Sequence, residues 1–137
     1  MAMFEDLIRE EADGKIGFGD YTLTEKKKVE NYPHLGDMLK VKTFNEITRL
    51  EKNGMFLYES VPGTAVSSFI ENEDGISFNV SGNEDAQVTV GLADNTEYVV
   101  SVNGSSTGVM KTALGGKLSI SVELAGVDSV SVDIKKK

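Results

Sequence analysis

Five short segments between Ile76 and Ile134 alternate apolar and polar residues, and in every one the apolar residue carries an even number. They are Ile76-Ser-Phe78-Asn-Val80, Val88-Thr-Val90-Gly-Leu92, Tyr98-Val-Val100-Ser-Val102, Leu118-Ser-Ile120-Ser-Val122-Glu-Leu124 and Val130-Ser-Val132-Asp-Ile134. Successive side chains of a strand point to opposite faces, so strict alternation marks a strand with one face buried and the other wet. The turn signals between them, Glu73-Asp-Gly75, Ala93-Asp-Asn95, Asn103-Gly104 and Gly115-Gly116 among others, recur about every ten residues, the pattern of a sandwich or barrel. The expected fold is all-β: an antiparallel β-sandwich of two packed layers.

The first half reads less regularly. Residues 3–11 place Phe4, Leu7 and Ile8 on one face of a short N-terminal helix or arm, which at two turns needs docking on a sheet edge to be stable. Ile16-Gly-Phe18 and Tyr21-Thr-Leu23 alternate with a parity change across Gly19-Asp20, the mark of a bulge or tight bend. Lys26-Lys27-Lys28 predicts a charged, solvated edge. Pro33-His34-Leu35-Gly36-Asp37 reads as a turn, and Met38 to Thr43 as a strand with Leu39 and Val41 inward.

Asn53-Gly54 predicts a two-residue type I′ hairpin pairing Lys52 with Met55, Glu51 with Phe56 and Leu50 with Leu57. A soft boundary falls near Pro62. It separates an N-terminal arm and front β-layer, 1–61, from a C-terminal sandwich, 62–137, that shares or closely packs the same core.

Net charge is −8, from 14 basic and 22 acidic residues, which argues against phosphate backbones and hence nucleic acid as partner. Without cysteine, neither a disulfide framework nor a thiolate metal site can form. The amino terminus carries acids where a signal peptide needs a basic region, and no apolar run reaches membrane-helix length. The expectation is a cytoplasmic protein with no membrane partner.

Chemistry-bearing motifs are sparse. His34 is the single histidine, expected in a surface turn, too little for a histidine-centred triad or a zinc site. Glu71-Asn-Glu73-Asp74 and Asn83-Glu84-Asp85 cluster oxygen donors without calcium-loop spacing. Gly104-Ser-Ser-Thr-Gly108 lacks the following lysine and helix of a P-loop and reads as a hairpin loop. No cofactor and no catalytic residue is assigned.

The block Gly36-Asp37, Lys40 to Phe44, Glu51 to Phe56, Tyr58 to Val66 and Leu114 to Ser119 resembles a family of small clostridial proteins loosely labelled "endosialidase". That label implies an arginine cluster gripping a carboxylate, yet the chain has only Arg9 and Arg49, and no tryptophan. The expectation is therefore no sialidase activity. Tyr98 to Gly104 and Gly116 to Val122 resemble the fibronectin-like or immunoglobulin-like sandwiches of bacterial carbohydrate-active enzymes.

Of twelve outward positions on the five strands only Glu123 and Asp133 are charged, and a hydroxylated face gives weak protection against lateral contact. The expected function is a non-catalytic structural or self-associating protein, its partner another copy or another protein, with Ser119, Ser121, Ser129 and Ser131 as the candidate association face. The alternative is a carbohydrate- or cell-envelope-associated binding module.

Overall fold

A computed structural model describes residues 7–137, and within them the chain forms thirteen strands. The first six are β1 (Ile8–Glu10), β2 (Ile16–Phe18), β3 (Lys27–His34), β4 (Asp37–Thr43), β5 (Thr48–Lys52) and β6 (Met55–Val61). Then follow β7 (Ala65–Asn72), β8 (Gly75–Ser81), β9 (Ala86–Gly91), β10 (Glu97–Val102), β11 (Ser105–Lys111), β12 (Lys117–Val122) and β13 (Val130–Lys136). A seven-stranded sheet runs β1-β2-β7-β8-β13-β10-β11 and a six-stranded sheet runs β12-β9-β6-β5-β4-β3. All pairs are antiparallel, and the two sheets pack as a sandwich.

The even-numbered residues of the alternating segments face the core as expected. Leu92, Val102 and Ile120 are half-buried against it, and the others are buried. Phe18, Phe69 and Phe78 from the larger sheet meet Tyr58 from the smaller one edge-on, with centroids 5.3, 6.2 and 5.5 Å from the tyrosine ring. Such T-shaped pairs set the positive ring edge against a negative face. Strands from both sides of Pro62 share each sheet, since β2 pairs with β7 and β6 with β9.

The N-terminal helix is not present in the described part of the chain. Ile8–Glu10 is instead an edge strand, pairing Ile8 with Phe18 and Glu10 with Ile16, while Phe4 lies outside the described residues. A sheet edge offers this short apolar stretch a ladder of backbone hydrogen bonds, which a two-turn helix in water cannot match.

The Asn53-Gly54 turn closes as expected, with Lys52 opposite Met55 and Glu51 opposite Phe56. Beyond that a bulge shifts the register, and Leu50 meets Tyr58 rather than Leu57. The bulge is what allows two consecutive residues, Leu57 and Tyr58, both to be buried.

Two further expectations are corrected. His34 ends strand β3, and the turn that follows is Leu35-Gly36 alone, both residues at positive φ. Ser105–Lys111, read as hairpin loop at its start, is strand β11. Every residue of β11 is exposed, and the strand sits at one edge of the seven-stranded sheet. A strand wet on both faces has no reason to alternate, so it left no trace in the hydrophobic pattern.

Candidate functional site

The four serines proposed as one face do not share one. Ser119 and Ser121 project from β12 at the edge of the smaller sheet, Ser131 projects from β13 inside the larger sheet, and Ser129 precedes β13. The outer surfaces of the two sheets point away from each other, so the serines form two separate patches. The hydroxyls on β12 are also already engaged: Ser119 Oγ lies 2.7 Å from Thr89 Oγ1, and Ser121 Oγ donates to Gln87 Oε1 at 3.0 Å. Sequence position placed these residues two apart on strands, but strand order placed the strands in different sheets.

His34 is more enclosed than a turn position implies, its side chain 11% exposed. Its Nε2 lies 3.1 Å from the carbonyl oxygen of Gly14, and since a carbonyl only accepts, Nε2 carries the proton. Nδ1 is buried and without a hydrogen-bond partner among the described residues, with Glu10 Oε2 3.9 Å away. The ring borders a cleft of about 230 Å³ floored by Ile16, Leu39, Leu57 and Phe69. Among the described residues no hydroxyl is hydrogen-bonded to the imidazole.

A second concavity, about 450 Å³, opens where β6, β9 and the segment before β12 meet, lined by Phe56, Leu92, Tyr98, Lys117 and Lys136. Phe56 is half-buried on the outer face of the smaller sheet, with Lys117 Nζ 4.8 Å and the Arg49 guanidinium 5.3 Å from its ring centroid. Both cations exploit the negative ring face. Arg49 also pairs with Glu51 and Glu59, at 3.2 and 3.1 Å.

The most developed polar cluster is sealed inside. Thr64 Oγ1 lies 2.8 Å from both Tyr58 Oη and Ser60 Oγ, and the Thr64 backbone exchanges hydrogen bonds of 3.0 and 2.9 Å with Thr48 Oγ1. Thr48 continues to Thr43 at 2.8 Å, and Thr43 accepts from the backbone N–H of Asp20 at 2.9 Å. All five hydroxyl residues of the cluster, Thr43, Thr48, Tyr58, Ser60 and Thr64, are fully buried. Their partners are one another, so the cluster ties loops to the sheets and offers no group to a substrate.

Burial, which penalises phenolate, pushes the Tyr58 hydroxyl up from 10.0 to about 12, against the lowering effect of the neighbouring Thr64 and Ser60 hydroxyls. A phenol raised in the folded state stabilises fully below its unfolded pKa, and the contribution disappears as pH climbs through the folded value. Stability should therefore decline between about pH 10 and 12 partly through this residue. Denaturant midpoints measured across that range should fall less steeply for Tyr58→Phe than for the wild type.

Among the described residues no group of three or more histidine, aspartate or glutamate side chains comes together as a metal site, and no helix is long and apolar enough to cross a membrane. At the surface, Glu30 has its carboxyl held below the usual carboxylate range by a hydrogen bond from Lys28, 3.0 Å away, and by the neighbouring charges of Lys28 and Lys40.

Fold and register together define an antiparallel β-sandwich of two sheets. No family model, characterised protein or solved structure matches the chain.

The surface that sequence reasoning missed is β11. Val109 pairs with Val99 and Met110 with Tyr98, so Met110 shares the inner face of buried Tyr98 and Val109 the outer face. Both are substantially exposed, at 46% and 38%. The only signal available was Asn103-Gly104, which as a two-residue turn requires a strand to begin at Ser105.

Proposed function

We propose that this protein is a non-catalytic, cytoplasmic β-sandwich with a structural role, working through association with copies of itself. The observation that supports this reading is the contrast between its sheet edges. Edge strand β3 carries Lys27, Lys28, Glu30 and Pro33, and edge strand β1 places Arg9 and Glu10 within three residues. Charge and proline are the usual protection of an exposed ladder. Edge strands β11 and β12 have neither from Ser105 to Met110 and from Leu118 to Val122. Sedimentation from about 5 to about 500 μM, the range in which small interfaces of micromolar affinity assemble, should show mass rising with concentration. A particle of 14.8 kDa at every concentration would refute it.

One observation favours the alternative of a carbohydrate- or cell-envelope-associated module: half-exposed Phe56 beside the 450 Å³ groove. A sugar stacking there has to displace Lys117 or Arg49 from the ring. Glycan binding that disappears in Phe56→Ala would put this reading first.

The resemblance to proteins labelled "endosialidase" carries no activity on this reading. Arg49 is engaged by two glutamates and Arg9 lies 3.3 Å from Glu11, so no arginine cluster faces a common point. Purified protein is expected to release no sialic acid from a polysialylated substrate. Release that vanishes on substituting one acidic residue would reverse that conclusion.

A further inference from the structure

We propose that two copies of this chain pair antiparallel through β11, about a two-fold axis passing midway between their Val109 residues, joining their larger sheets into one. The inference rests on the self-association reading and names the surface and register that serve it.

A two-fold axis perpendicular to a sheet keeps outer faces outer, so residues paired across it must share a face, and the axis must pass midway between two copies of one residue. Centring on Val109 sets Val109 directly opposite Val109 of the second copy, with Cβ atoms about 4.5–5.5 Å apart. Both valines are exposed in the single chain and become cross-strand partners. The next pair is Met110 with Gly108 of the other copy, and reciprocally. A long side chain then lies over a residue with none, and a Cβ added at Gly108 meets nothing within 4 Å, so that space is open.

The charges permit the contact. The chain carries −8, yet β11 holds no acid and one lysine, Lys111, whose cross-strand neighbour is Glu97. In the proposed register Lys111 stands opposite Thr107, and the two lysines lie about 13 Å apart along the ribbon, beyond the screening length of about 8 Å at physiological salt.

A bulge at Thr107, whose hydroxyl donates to the Val100 carbonyl oxygen at 3.1 Å, limits the straight ladder to Gly108, Val109 and Met110 on each strand. So short a ribbon predicts weak, concentration-dependent dimerisation. The other uncharged edge, β12, lacks comparable anchors: Leu118 and Val122 are buried inward and its outer serines are engaged within the sheet.

The absence of cysteine gives a clean test. Val109→Cys should form a disulfide-linked dimer when oxidised with diamide, because directly opposed Cβ atoms approach the span of about 3.5–4.5 Å that a disulfide needs. Met55→Cys, 72% exposed at the β5–β6 hairpin of the smaller sheet, should stay monomeric under the same oxidation. Val109→Lys, which opposes two like charges at the axis, should keep its circular dichroism spectrum and need about tenfold higher concentration to associate.

The proposal is overturned if wild-type protein dimerises while Val109→Cys fails to cross-link or Val109→Lys associates normally, which would move self-association to another surface such as β12. It is overturned equally if both cysteine variants cross-link alike. A wild type that stays monomeric at all concentrations removes this proposal and the self-association reading together.

Discussion

Thr64→Val should lower the stability of the protein by about 3–5 kcal/mol, read as a shift of the urea midpoint at unchanged slope. Valine matches threonine in shape but has no hydroxyl. Its introduction leaves Tyr58 Oη and Ser60 Oγ, both fully buried, without the partner each has at 2.8 Å. An unsatisfied buried group costs about 1–3 kcal/mol, and here two are created by one substitution. The comparison that isolates this is Tyr58→Phe, which removes one end of the bond and leaves Thr64 still joined to Ser60. Its cost should be about 1–2 kcal/mol. Equal effects from the two variants would show that the hydroxyls do not act as a cluster.

Gly75→Ala should be as damaging or worse, at about 3–5 kcal/mol, because two penalties of about 1–3 kcal/mol each coincide. Gly75 opens β8 at φ +151, where a side chain is strained. A Cβ there would lie 1.8 Å from the carbonyl oxygen of Ile134 on β13, which can retreat only by parting the β8–β13 ladder. Gly54→Ala is the control, since its φ is +79 but nothing lies within 4 Å of the added carbon. That variant should cost about 1 kcal/mol, the strain alone. A loss at Gly75 no larger than at Gly54 would mean that the β8–β13 pair yields easily.

How far the sequence reveals the fold depends on what each residue needs in order to be understood. Ile76 to Val80 and Val130 to Ile134 are legible because burial on one face is a property of the strand itself. Asn53-Gly54 is legible because the turn conformation is a property of the dipeptide. The pairing of Leu50 with Tyr58 is not, because a bulge on one strand is settled by what its neighbour can pack against. His34 looked like a turn residue because Pro33 precedes it, but proline at an edge strand disturbs no ladder, and β3 is an edge.

Candidate functional surfaces depend more heavily on assembly. Ser119 and Ser131 share an outward parity that the sequence determined without the structure. Whether they share a face depended on strand order, and β12 and β13 joined different sheets. β11 was invisible for the converse reason: its residues carry no alternation because all of them are exposed.

By itself the sequence determined the all-β class, the inward set of the C-terminal strands, most of the turns and the absence of cysteine. These are local quantities, set by side-chain chemistry and a period of two. Only the tertiary structure decided which strands are neighbours, which edges stay open, and that the hydroxyls of Thr43, Thr48, Ser60 and Thr64 are sealed together with Tyr58. Those follow from long-range pairing, in which residues far apart in the chain compete for the same partner and the winner is set by the packing of the whole core.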